Sequence, residues 1–426
     1  MKQSGIEWIG EIPEDWEVYR NKNAFICNKE IVGKNSNSTQ LLSLTTGGIK
    51  CKDINNAEGK LPESFDTYQY VKKNDVVMCL FDLDMSAVFS GISQYDGMIS
   101  PAYKVLSCQD RANPLFVHYW FSYIFDGRKF NHYAKNIRYT LNYDEFATLP
   151  ILLPPKEIQQ RIATYLDKKC SKIEETIQNQ QQVIEKLKAY KQSLITEAVT
   201  GKIKIKNGKV CGEYESYKDS GVEWIGKIPS EWEVKKLKFS SQIMRGLFSH
   251  RPRNDPDYYD GVHPFIQTGE VARAVKYITT YSQTLNELGF SVSREFPAGT
   301  VLLTIAANVG DVAILDFNAC FPDSVIGFYP KENVSKIFMF YVLKSMKEQF
   351  MRNAIISTQM NLNINIVKEE FIPLPSLAEQ KEIVKFLEKK SDYIDTAIEQ
   401  KQNLIEKLTE YKKSLIYECV TGKKEI

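Results

Sequence analysis

The feature that most limits how this chain can fold is that it is written twice. Residues 2–18 read KQSGIEWIGEIPEDWEV, and residues 218–234 read KDSGVEWIGKIPSEWEV. About two-thirds of these positions are identical, including the costly pairs Trp8 with Trp224 and Trp16 with Trp232. A second pair follows at nearly the same offset. Residues 181–202 read QQVIEKLKAYKQSLITEAVTGK, and residues 402–423 read QNLIEKLTEYKKSLIYECVTGK. The order is a short strip, a variable region and a long polar-apolar segment, then all three again. This is a duplication that kept its frame while the inserts diverged.

The inserts, about residues 18–150 and 234–371, share only loose landmarks. Each has an apolar run ending in Thr-Gly, at Leu41–Gly47 and Phe265–Gly269. Each then has a Val-rich strand pattern, at Asp75–Leu80 and Gly299–Ile305, and each ends at prolines, Pro150 to Pro155 and Pro373 to Pro375. The boundaries read as 1–150 for the first strip and insert, 151–206 for the first long helix, 207–371 for the second strip and insert, and 372–426 for the second long helix.

The long segments carry apolar residues at alternating steps of four and three, the a/d pattern of a coiled coil. In the first these are Leu166, Ile173, Ile177, Ile184, Leu187 and Leu194. In the second they are Leu387, Ile394, Ile398, Ile405, Leu408 and Leu415. Polar residues interrupt both at matching places, Gln180 with Lys191 and Lys401 with Lys412. Such breaks cost stability and help fix register. Gly201 and Gly422 fall where helix C-caps favour glycine, and Pro155 and Pro375 mark the entrances. A stripe of about 40 residues, about 60 Å of helix, needs a partner. The other copy is the obvious one, and an antiparallel pair would relate the halves by a pseudo-twofold axis. The alternative is that each helix packs against its own globular neighbour. The fold class is therefore α+β: two globular domains separated by two long helices forming an intramolecular antiparallel coiled coil.

Composition bounds the function. With 426 residues, 43% hydrophobic and 25% charged, the chain is neither disordered nor fibrous. No apolar run approaches the ~20 residues of a membrane span, and the start lacks the apolar run of a signal peptide, so the expected location is the cytoplasm. Eight scattered cysteines without a C-x-x-C pattern read as free thiols. A net charge of +2 means that contacts with nucleic acid would have to be local. There is no phosphate loop, and no glycine-rich dinucleotide or methyl-donor loop precedes Asp255-Pro256-Asp257-Tyr258, the nearest approach to an adenine-methylating tetrad. No catalytic or metal-ligating residues are assigned.

Polar readout has three candidate places. The clearest basic cluster holds Arg245, His250, Arg251 and Arg253, with no acid between Lys238 and Asp255. Arg forks match phosphates and guanine edges, although the stretch also reads as a solvated loop. Before the proline exits lie Arg138 and Tyr139 in the first copy and Gln359 and Asn361 in the second. Counting back from the helices aligns Arg138 with Gln359 and Leu141 with Leu362. Arg suits guanine and Gln or Asn suits adenine, so equivalent positions could carry different readers; a polar turn is the alternative. Gln267, Thr268 and Arg273 surround the second Thr-Gly, where turn chemistry explains them as well.

On these residues the chain resembles the specificity subunit of type I restriction-modification systems. The resemblance covers essentially the whole chain. Its carriers are the repeated S-G-[IV]-E-W-I-G-x-I-P strips, the entrances at Leu153-Pro154-Pro155 and Leu374-Pro375, the I-E-K-L-x-x-Y-K-x-S-L-I helices and the V-T-G-K ends. The second insert also looks like a target-recognition domain of that family through R-P-R-N, P-F-I-Q-T-G-E-V, T-I-A-A-N-V-G-D and C-F-P-D-S-V. The resemblance implies that each insert reads one half of a bipartite, asymmetric double-stranded DNA site and that the coiled coil fixes the spacer. It implies two partner methyltransferase subunits that bind S-adenosylmethionine and methylate adenine N6. It also implies a restriction subunit, where present, that uses ATP and Mg²⁺. The chain itself would be non-catalytic and bind no cofactor. The competing readings are a self-contained enzyme with unfamiliar motifs, a purely structural rod, or an orphan or anti-restriction scaffold that binds methyltransferase without a nuclease.

Overall fold

The computed structural model describes residues 1–53, 62–83, 85–129, 133, 139–356 and 360–426, without the side chains of 355, 356 and 360. The chain forms two compact units, one of residues 1–181 with 401–426 and the other of 182–400. Each unit therefore contains one insert and parts of both long helices.

The helices run from Lys156 to Val199 and from Leu377 to Val420, 44 residues each. Both begin just past the predicted proline entrances. Both end in the same C-cap. Gly201 and Gly422 lie at φ of +72° and +71°. The Lys202 N–H reaches back to the Glu197 carbonyl at 2.9 Å, and Lys423 N–H to Glu418 at 2.8 Å. This six-to-one closure satisfies the orphan carbonyls of the last turn. All twelve apolar heptad residues are buried or half-buried.

In the first unit Leu166 and Leu415 join one core with the insert. There Lys412 bridges to Glu174 at 2.5 Å, and Lys401 donates to the Gln180 carboxamide oxygen at 3.1 Å. Higher numbers on one helix meet lower numbers on the other, so the helices are antiparallel. The second unit buries Leu194, Leu387 and Ile394 in its own core, with Leu187 and Ile398 packed against it. Lys191 bridges to Asp395 there at 2.6 Å. The expected coiled coil is present, and each helix also packs against an insert.

The two inserts, loosely similar in sequence, are built on the same sheet. In the first unit the strand order is Phe25–Asn28, Lys104–Cys108, Val76–Met78, Ser90–Ile92, all antiparallel. In the second it is Ser241–Arg245, Val325–Pro330, Val301–Thr304, Val312–Leu315, with Tyr277–Ile278 added in parallel at the edge. The Val-rich patterns are the equivalent third strands, buried throughout. A helix packs near each sheet. Pro114–Asp126 is capped by the Asn113 side chain and Lys336–Ser345 by Ser335. Tyr119, Trp120 and Phe121 lie in the core.

The strips attach in two ways. Their ends pair with the proline exits, Glu17–Arg20 with Pro150–Leu153 and Glu233–Lys236 with Phe371–Leu374. Their Pro and Trp residues cover the helix C-caps: Pro13 and Trp16 lie on Gly422, and Pro229 and Trp232 on Gly201. Each strip thus closes the helix that ends the other copy, so the repeat is cyclic. All eight cysteines are free, four of them buried. Among the described residues no helix is long and apolar enough to cross a membrane.

Candidate nucleic-acid interface

In the second unit the predicted basic cluster grows from one end of the central sheet. The strand Ser241–Arg245 ends there, opposite Ile326. Gly246 then crosses so close to the chain that a Cβ would lie 2.3 Å from the Pro322 carbonyl oxygen. Phe248 anchors the next turn in a small aromatic core with Tyr259 and Phe265. His250 stacks on Tyr258 at 3.8 Å between ring centres, and its Nε2 lies 2.9 Å from Asp255. Asp255 also caps the following turn by accepting from the Asp257 N–H at 3.2 Å. The stretch is an ordered loop with its own support, and the Asp255 tetrad candidate serves as a cap.

The arginines converge. Arg251 donates to the carbonyls of Phe248 and His250 at 2.6 and 2.7 Å, and reaches Asp323 at 3.4 Å. Arg253 pairs with the same carboxylate. Arg245 donates through Nε to the Asp323 carbonyl, and Arg294 donates to the Arg245 carbonyl at 3.1 Å. Three guanidinium groups thus meet at Asp323, and a fourth, that of Arg294, is tied to the Arg245 backbone. Sequence reasoning missed Arg294 and Asp323. The only signal was that Asp323 falls in the C-F-P-D-S-V pattern.

Asn361 belongs to the same end. Ser324 accepts from the Ile305 N–H at 2.9 Å, Ile305 accepts from Leu362 at 2.8 Å, and Ala306 bridges to Asn361. Asn361 itself is exposed. Gln359, its predicted companion, lies outside the described residues, as does Arg138 in the first unit. The alignment of Leu141 with Leu362 holds in the structure. Both are buried, and Leu141 N–H donates to the Leu80 carbonyl at 2.8 Å as Leu362 does to Ile305. Tyr139, at φ +46°, accepts from the Leu83 N–H at 3.3 Å, so it sits against the loop after the equivalent strand.

Gln267, Thr268 and Arg273 form a separate group. Gln267 precedes the helix Thr268–Arg273 and takes the Glu270 carboxylate on its N–H at 3.0 Å, while its carboxamide donates to Gln283 at 2.6 Å. Arg273 pairs with Glu270 at 3.2 Å. Turn chemistry accounts for these contacts. The first Thr-Gly is instead a hairpin turn, in which the Thr45 hydroxyl donates to Gly48 at 2.8 Å.

Two further residues matter for the frame. Gln159 is fully buried at the first helix entrance. It donates to the Arg111 and Pro154 carbonyls, each at 2.8 Å, and accepts from the Asn113 N–H at 2.8 Å. Gln380 repeats this with Asn333 and Pro375, both at 3.0 Å, and with the Ser335 N–H at 2.8 Å. Each glutamine ties helix, strip exit and insert together. Burial also shifts Lys344, on the inner helix of the second unit, down to about 8, with Lys191 nearby acting in the same direction.

The second unit thus carries an ordered arginine patch at a sheet end, on a duplicated α+β frame with paired long helices. Residues 229–408 match the family model described as the type I restriction modification DNA specificity domain. A Methanocaldococcus jannaschii protein provisionally designated the type I restriction enzyme MjaX specificity subunit is 25% identical over 405 residues, 91% of this chain and 89% of that one. A chain in a solved structure concerned with complex assembly and conformational transition of the type I R-M system superposes with a TM-score of 0.73 at 14% identity, over 97% of this chain and all of the other. The HsdS subunit from Thermoanaerobacter tengcongensis gives 0.52 at 16% identity over the full length of both. Residues 229–408 thus match a DNA specificity domain, and over most of its length the chain is similar to type I restriction enzyme specificity subunits.

Proposed function

We propose that this chain reads a bipartite, asymmetric DNA site, one half with each insert. The observation that carries this reading is that two divergent inserts share one strand order and one closing hydrogen bond, Leu141 to Leu80 and Leu362 to Ile305. A common scaffold with different surface residues suits two different half-sites. The paired helices set the interval between them. In this reading residues 1–150 and 207–371 are the recognition domains, and 151–206 and 372–426 are the spacing helices.

In the second insert Arg245, Arg251, Arg253 and Asn361 meet the duplex, through phosphates and base edges. His250 supports their loop. Arg138, Tyr139 and Gln359 supply base contacts. Gln267, Thr268 and Arg273 are flanking contacts. Two methyltransferase subunits bind the chain and bring S-adenosylmethionine. The adenine is flipped into their pockets, so this chain needs no pocket chemistry of its own. A restriction subunit with ATP and Mg²⁺ completes the complex where it exists.

The test is to co-express the chain with its neighbouring methyltransferase in a host lacking adenine methylation and to map N6-methyladenine. A single interrupted, asymmetric motif methylated on both strands is the expected result. A soluble complex that leaves no new methylation would overturn the reading.

A further inference from the structure

The arginine patch contains an acid where a DNA-binding surface would be expected to avoid one. A carboxylate beside a phosphate backbone is repelled by it, and affinity for DNA rests largely on that backbone. Asp323 is nevertheless 30% exposed among Arg251 and Arg253, whose side chains are 51% and 45% exposed. Its backbone is firmly held. Phe321 and Pro322 before it are buried, Val325 N–H closes a turn onto Pro322 at 3.0 Å, and Ser324 is bonded to Ile305.

The arginines it touches are otherwise long, exposed and mobile side chains. A free Arg side chain carries rotamer entropy, which binding must remove if folding has not. Arg251 is held at three points, two backbone carbonyls and Asp323, with its planar fork still half in solvent. Arg253 is held by Asp323. The carboxylate thus orders two forks and offsets part of their charge.

Resting on the DNA-reading function above, we propose that Asp323 is a positioning residue for specificity. It fixes the Arg251 and Arg253 forks for base-edge readout and, by its charge, weakens indiscriminate phosphate binding. It makes no demand on the DNA itself. Affinity is sacrificed for discrimination, since an unrestrained four-arginine patch would bind any duplex.

The experiment uses the chain in complex with its methyltransferase subunits, with the target duplex defined by the methylation map and a scrambled duplex of equal length. Asp323→Asn is expected to tighten binding of the scrambled duplex and steepen its salt dependence by about one unit in the log–log slope. The ratio of specific to scrambled affinity should fall roughly tenfold. Asp323→Glu, which restores charge and reach, should recover most of the ratio. A merely structural carboxylate would lower both affinities together and leave the salt slope alone, and that pattern overturns the proposal. The variants Arg251→Ala and Arg253→Ala separate the two levels of inference. If they lower the ratio while Asp323→Asn does not, positioning is wrong and the DNA-reading function stands. If neither arginine nor Asp323 alters recognition, the patch is not a reading surface and both fall. Co-elution of each variant with the methyltransferase reports folding, and should Asp323→Asn fail to assemble, the Asp323→Ser variant carries the same comparison.

Discussion

Lys191 and Asp395 face each other across the antiparallel helices, with Nζ 2.6 Å from Oδ2. The 221-residue offset that carries Lys191 onto Lys412 also carries Glu174 onto Asp395, and Lys412 bridges to Glu174 in the other unit. The same offset carries Gln180 onto Lys401, a pair that is its own mate and is hydrogen-bonded. The polar breaks in both heptad stripes thus meet partners rather than apolar side chains. The Lys191 side chain is only 15% exposed, so its charge is costly without Asp395. Asp395→Ala is expected to destabilise the chain by about 1–3 kcal/mol in urea melts, while the double change Lys191→Met with Asp395→Leu should be near neutral. Equal losses for the single and the double variant would show that the pair contributes only packing.

The two C-cap glycines carry a double constraint that a nearby glycine does not. Gly201 needs positive φ, and a Cβ there would lie 2.4 Å from Pro229 Cδ. Gly208 also has positive φ, +68°, but open space around it. Gly208→Ala should therefore cost about 1 kcal/mol, the backbone term alone. Gly201→Ala should cost about 2–4 kcal/mol, because the strip must also move off the helix end. Thermal melts of the two variants check the difference. Equal shifts would mean that the Pro229 contact relaxes freely.

What was legible in the sequence is what periodicity and local chemistry encode. Heptads, glycine caps, proline entrances and the duplicated strips all stand in the structure because each is decided within a turn or two of chain. The arginine loop was legible as charge. Its organisation was not, because Arg253 meets Asp323 from 70 residues away and no local pattern links them. The common sheet of the two inserts was hidden for a similar reason. Strand order is a property of pairing, and it survives divergence of the surface residues that sequence comparison weighs most. The two Thr-Gly landmarks show the converse: one is a hairpin turn and the other opens a helix, so a shared dipeptide did not mean shared structure.

The buried glutamines make a third prediction. Gln380 fills one donor and one acceptor need from the insert and one more from the strand exit, with no water-accessible surface of its own. Gln380→Leu keeps the volume but leaves an N–H and two carbonyls unpaired in the core. The expected loss is about 2–4 kcal/mol, since each orphaned group costs about 1–3 kcal/mol and the three relax together. Gln159→Leu should behave alike in the first unit. Hydrogen exchange supplies the check: the amide of Ser335, or of Asn113, should lose protection first. Unchanged protection in either variant would remove the glutamine from its assigned place as a tie.

Lys344 gives a pH-dependent prediction whose sign is fixed by its environment. Burial, with Lys191 nearby, depresses its folded value from 10.5 to about 8. Between those two values the unfolded chain binds more protons than the folded one, so stability contributed by this group rises with pH across the window. Below about pH 8 both states are charged and the folded state bears the full penalty. Asp395 and Asp311 nearby act in the opposite direction and limit it. Lys344→Met removes the charge and keeps the stem, so it should stabilise the chain at pH 7 by about 1–2 kcal/mol, discounted for partial solvation. The advantage should shrink steadily from pH 8 and vanish above pH 10.5, where the wild-type lysine becomes neutral in both states. Urea denaturation at pH 7, 9 and 10 measures this directly. A gain that stays constant with pH would trace the effect to packing of the methionine, and a loss at pH 7 would show that the carboxylates, rather than burial, dominate at this lysine.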